Sequence, residues 1–253
     1  MRDYYSSEEF REKAKAFRKF TFRMRFNKAR IASVARDEQV ERSVSFLKAI
    51  GALSPILKDW YLCGHSPESA KRFNVVDKPE YLRKEVMDWV SDQDGDMSRA
   101  IQYSLWNGEE DIFKGGLSLS YFAHDIEMMP AYMEFEDAGA LVMAMPDVKD
   151  VLVGMMSAAV EFWPEIEWGV VAPEDYYLKY RVFTDRLTAG WIGYCPYPLK
   201  NADFSNAEEI VDIPGRGSII VSSSEVMNEK NREHYERVGD IDTKLVELGY
   251  LPM

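Results

Sequence analysis

The segment Ala189–Cys195, Ala-Gly-Trp-Ile-Gly-Tyr-Cys, constrains the fold more than any other. Extended backbone sends successive side chains to opposite faces. Ala189, Trp191, Gly193 and Cys195 then share one face, and Gly190, Ile192 and Tyr194 the other. Apolar residues on both faces describe a central strand, covered on both sides. The glycines let neighbouring backbones approach closely. Pro196 and Pro198 lack the donor that a ladder needs, so the strand stops there. On this reading Cys195 is a core thiol, unreactive because it is buried.

The rest of the chain supplies the layers. Phe20–Phe26, FTFRMRF, alternates strictly between apolar and polar, the pattern of a half-buried strand with Arg23 and Arg25 on its wet side. From Val34 the period becomes helical through Val40, Val44, Leu47 and Ile50, with a stop at Gly51. Ser54-Pro55 caps and starts a short helix that carries Ile56, Leu57, Trp60 and Tyr61. Another helix follows Pro79 and ends at SDQDGD. Strands are expected at Ala100–Asn107, Gly115–Ala123 and Gly139–Met145, the first two joined by an acidic hairpin loop. The clearest helix covers 147–163, between Pro146 and Pro164, and should lie across the sheet. A strand at EWGVVAP, a helix start at Pro173 and a strand at GSIIVSS come next. Asn228–Leu248 is expected to be helical in two pieces broken at Gly239. Strands following strands, with helices flanking them, predict an α+β fold. It should be a single domain over 1–253, with a mostly antiparallel sheet and residues 1–19 as a flexible or helical N-terminal extension.

Charge is unevenly distributed. The net charge is −12. Residues 1–84 are net basic, whereas residues 85–150 carry 15 Asp/Glu against 3 Lys/Arg. Such a field repels nucleic acid and attracts a basic partner, although on charge alone the acidity is read as an ordinary solubility feature. No run approaches the roughly 18 apolar residues that a membrane helix requires. The N-terminal sequence has no apolar core of a secretory signal. Two cysteines, Cys63 and Cys195, are too few for a disulfide framework and fit a reducing compartment. A cytoplasmic protein is expected, with neither membrane nor nucleic acid as partner.

Candidate chemistry is sparse. Cys63 and His65 are the best candidates for a nucleophile and base, but Gly64 between them suggests a turn, and no oxyanion architecture accompanies them. A buried small cysteine and a capping or turn histidine explain them better. Asp92, Asp94 and Asp96 hint at a calcium loop, yet Gly95 comes too early and the twelfth position is Tyr103 rather than Glu. His65, His124 and His234 are scattered, so no metal is expected. GRGS, Gly215–Ser218, lacks a phosphate-loop lysine and leads into a strand, which makes it a hairpin turn. No cofactor site emerges. Acidic loops between apolar strands remain, the composition of a surface that binds a basic protein. A scaffold or adaptor, or an enzyme using Cys63 and His65, are the alternatives.

The order of these segments resembles a known family. GWIGY followed by prolines, and then GRGSIIVSSSEVMNEKNREHYERV, is similar to the immunity protein 52 family of bacterial polymorphic toxin systems. SLWNG with GGLSLSYFAH resembles its central hairpin, and MPDVKDVLVGMMSAAVEFWPEIEWGVVAP its long helix and following strand. The resemblance runs from about residue 20 to the end. It implies an antitoxin, not an enzyme. Its partner would be a cognate toxin, a restriction-endonuclease-like nuclease with a basic surface, delivered by type VI secretion. The acidic loops 92–96, 109–111 and 125–137 are then the expected contacts. They bring Asp92, Asp94, Asp96, Glu109, Glu110, Asp111, Asp125, Glu127, Glu134, Glu136 and Asp137, with Trp106 or Tyr121 as an anchor.

Overall fold

Strand β1, Phe20–Phe26, divides its residues as the alternation predicts. Phe20, Phe22, Met24 and Phe26 are buried, whereas Arg23 is exposed. The computed structural model describes residues 7–253. Part of the expected N-terminal extension therefore lies outside the described residues, and its described part carries helix α1, Glu8–Ala16.

One sheet gathers nine strands among the described residues. After β1 come β2 (Tyr61–Leu62), β3 (Ile101–Trp106), β4 (Ser118–Ala123), β5 (Tyr132–Glu136) and β6 (Ile166–Pro173). The last three are β7 (Ile192–Cys195), β8 (Glu209–Ile213) and β9 (Gly217–Val221). Their order is β2-β3-β4-β5-β1-β6-β7-β9-β8, and every ladder is antiparallel. The fold is α+β. β1 sits at the middle and pairs with both β5 and β6, so it joins two half-sheets.

Helices cover one face of this sheet across its width. They are α2 (Lys28–Ala32), α3 (Arg36–Gly51), α5 (Pro79–Ser91), α6 (Gly139–Ala144) and α7 (Val148–Phe162), while the short α4 (Pro67–Ala70) lies in the connection after β2 and adds nothing to the main core. The main core forms beneath them. Phe46 of α3 packs edge-on against Trp163 at 5.1 Å, and Phe22 meets Phe135 at 5.0 Å. The second face is covered mainly beyond β1. There α8 (Glu174–Lys179) and α9 (Arg232–Glu247) lie over the strands. Trp168, Cys195 and Ile220 pack with Ile241 and Leu245 of α9 in a second core. Every residue of β7 is buried, as a strand covered on both sides requires.

Five local expectations need correction. Gly190 adopts φ +62°, which breaks the strict alternation before β7. Trp191 therefore joins the main core beside Phe20, not the face of Cys195. Residues 139–144 form α6 rather than a strand, because a short apolar run carries no period to distinguish the two. Residues 132–136, expected in an acidic loop, form β5. Tyr61–Leu62 pairs with β3 instead of extending the helix from Pro55. The C-terminal helix passes through Gly239 unbroken; Gly239 is buried, and a Cβ there would lie 2.8 Å from Val182. The GRGS turn does join two strands, β8 and β9, although β8 itself has no counterpart in the sequence reading.

Candidate interaction surface

The half-sheet β3-β4-β5-β1 turns its second face outward. Alternation places Gln102, Ser104, Ser120, Glu134 and Glu136 there, together with Arg23 and Arg25. The register aligns Ser104, Ser120, Glu134 and Arg23 in one row across four strands. Arg23 pairs with Glu134 at 2.6 Å and lies over the Tyr132 ring at 5.1 Å. Ser120 donates to Glu136, and Arg25 pairs with Glu167 at 2.9 Å. Much of the charge in this face is thus matched internally.

The acidic loops fall at opposite ends of the face. At one end, the β3–β4 connection holds Glu109, Glu110 and Asp111, and Asp137 follows β5 at the same end. At the other, the β4–β5 connection holds Asp125 and Glu127. Arg99 joins this second group to the 92–96 segment, pairing with Asp96 at 3.0 Å and Asp125 at 3.6 Å. Six residues of β4 separate the ends, roughly 17 Å of extended chain. The structure therefore brings Asp96 to Asp125 and keeps both from Glu109–Asp111.

Many of these carboxylates already have partners. Glu110 meets Lys71 at 3.8 Å and Asp111 meets Lys114 at 3.8 Å. Glu109 accepts from the Asp111 amide at 2.8 Å. Asp92, Asp94, Glu127 and Asp137 are exposed, and among the described residues no cation pairs with them.

Neither expected anchor is free. Trp106 is half-buried; its Nε1 donates to the Glu109 carbonyl at 2.9 Å, and Lys71 covers its ring at 5.4 Å. Tyr121 requires a correction. It is fully buried, stacks on Tyr103 at 4.8 Å and donates to Gln39 at 2.7 Å. It faces the helices because β4 sends odd-numbered residues inward, so it presents nothing to a docked protein.

Cys63 and His65 are both exposed, and no hydrogen bond joins them. Atoms packed around the Cys63 thiol push its pKa up, and Glu136 and Glu85 push it further. That is the wrong direction for a nucleophile, which needs its thiolate. Burial pushes the Cys195 thiol up to about 11. Among the described residues, no three His, Cys, Asp or Glu side chains are grouped so as to hold a metal ion.

Sequence reasoning missed the exposed apolar side chains that border this sheet face. Met128 and Met129 stand out from the β4–β5 loop, and Leu178 from α8. A Met-Met-Pro run inside an acidic loop was the available signal.

The family model described as immunity protein 52 matches residues 28–252, nearly the whole chain. No curated protein matches it.

Proposed function

The chain belongs to the immunity protein 52 family, and on that premise we propose that it neutralises its cognate toxin by binding it directly through an acidic surface. Membership implies an immunity protein against a toxin; the family match over residues 28–252 is the observation that carries the reading. The toxin is a nuclease in this proposal, delivered by type VI secretion and met in the cytoplasm. A nuclease offers a basic surface to DNA, and a protein of net charge −12 competes for that surface electrostatically. Carboxylates at both ends of the open sheet face support this. A basic partner lying along β3-β4-β5 reaches Asp94 and Glu127 at one end and Glu109–Asp111 at the other. Family proteins of this kind act by binding rather than by turnover, and the raised Cys63 thiol agrees with that. No helix among the described residues is long and apolar enough to cross a membrane.

The test is co-expression with the product of the neighbouring gene in a sensitive host, followed by pull-down. Rescued growth and a stable complex are expected. Persisting toxicity with no complex overturns the reading.

A further inference from the structure

Exposed apolar side chains border the second face of β1 and β6, Met128 and Met129 from the β4–β5 loop and Leu178 from α8. Met128 is 90% exposed, Leu178 73% and Met129 41%. Two depressions lie at this place. One, of about 640 Å³, opens between the loop and the start of α2 and is lined by Met128, Met129 and Asn27. The other, of about 340 Å³, is floored by Trp168 and Val170 and bordered by Tyr132 and Leu178. Arg25 and Pro130 line both, so the depressions adjoin.

Four carboxylates against Arg23, Arg25 and Lys28 make their border weakly acidic, and Glu127 alone of the four has no cation partner among the described residues. Asp125, Glu127 and Glu167 line the first, and Glu174 the second. The arginines inside do not oppose a basic partner, because Glu167 holds Arg25 and Glu134 holds Arg23. Lys28 donates to the carbonyls of Ile126 and Glu127, which fixes the loop that carries the methionines. An apolar centre within a charged rim is the anatomy of a protein interface. Methionine adapts its shape to what it meets.

We propose that this double depression is where the toxin is anchored, by a bulky apolar side chain flanked by Lys or Arg. The proposal rests on the toxin-binding reading above. A second copy of this chain is the wrong occupant, since it would bring a like-charged rim and another −12. The apolar contact holds the complex together, and the acidic rim selects and orients the partner.

The test is the kinetics of binding between the purified chain and the product of the neighbouring gene. The double variant Met128→Ser/Leu178→Ser changes no charge, and both side chains lie mostly in solvent, so its melting temperature should equal that of the wild type. Dissociation should quicken at least about 30-fold with association nearly unchanged. Leu248→Ser, at an exposed apolar site at the end of α9, should bind as the wild type does. A wild-type complex with unchanged dissociation in the double variant removes this surface and leaves toxin binding standing. An equal loss in Leu248→Ser also overturns the anchor. Absence of any complex with the wild type removes the toxin-binding reading, and this inference with it.

Discussion

Asp242 is the most heavily perturbed carboxylate of the second core. It is 1% exposed, and its oxygens accept from Thr188 Oγ1 at 2.6 Å and the Ala189 amide at 2.8 Å. Burial pushes its pKa from an ordinary 3.8 up to about 7, against the pull of those two hydrogen bonds and of Arg181. The folded state then keeps a proton that the unfolded chain releases near pH 4. Between about pH 4 and 7 the folded state binds more protons, so this group's contribution to stability falls as pH rises. Asp242→Asn keeps one acceptor for Ala189 and gains a donor for Thr188. Its stability relative to wild type should rise across that window by an amount on the order of 3 kcal/mol. Urea melts of both proteins at pH 5 and pH 8 check this; a difference independent of pH would show that Asp242 does not titrate there. Gly139 carries a steric constraint. A Cβ there would lie 1.9 Å from the Arg18 carbonyl oxygen, which is backbone and cannot swing aside. Gly139→Ala should cost about 1–3 kcal/mol, read as a lowered melting temperature. Neither role is legible locally. Asp242 looks like a solvated helix acid until the fold brings Thr188 to it across 54 residues. Cys195 was legible because its apolar neighbours announce burial.

At the scale of elements, β1 decides whether two half-sheets become one. It pairs along its length with β5 on one side and β6 on the other. Phe22 sits at the centre of that junction, fully buried against Phe135. Phe22→Ala should destabilise the protein by about 3–5 kcal/mol, the usual loss for an aromatic removed from a packed core. Denaturant unfolding measures it, and a loss below about 1 kcal/mol would mean that the junction repacks. The element was readable because its two faces meet different surroundings, helices on one side and water on the other. β5 has the same alternation, with Met133 and Phe135 inward and Glu134 and Glu136 outward. Its acids, next to those of the preceding loop, disguised it as more loop. The run at 139–144 was unreadable for the opposite reason. It is apolar on nearly every side, so its pattern does not choose between helix and strand; in the fold it follows the turn at Asp137, with φ +56°, and opens at Gly139 close against the Arg18 backbone.

Over the whole molecule, composition revealed an acidic middle but not where its charge is free to act. That depends on which cations fold against it, and these come from distant segments. Lys71 reaches Glu110, and Arg23 reaches Glu134. A paired carboxylate presents a dipole to an approaching protein, and its field falls off faster than that of a lone charge. Asp92, Asp94, Glu127 and Asp137, which no described cation pairs, should therefore dominate long-range attraction. This separates two sets of variants that composition treats alike. Reversal to Lys at Asp94 and Glu127 should slow association with a basic toxin by about tenfold at low salt and flatten its dependence on ionic strength. Reversal at Glu110 and Glu134, which also strands Lys71 and Arg23 beside a like charge, should slow association less while lowering the melting temperature. Stopped-flow association from about 20 to 300 mM salt distinguishes them. Equal slowing by both sets would show that net charge alone steers the encounter and that the internal pairing of this surface is irrelevant to it.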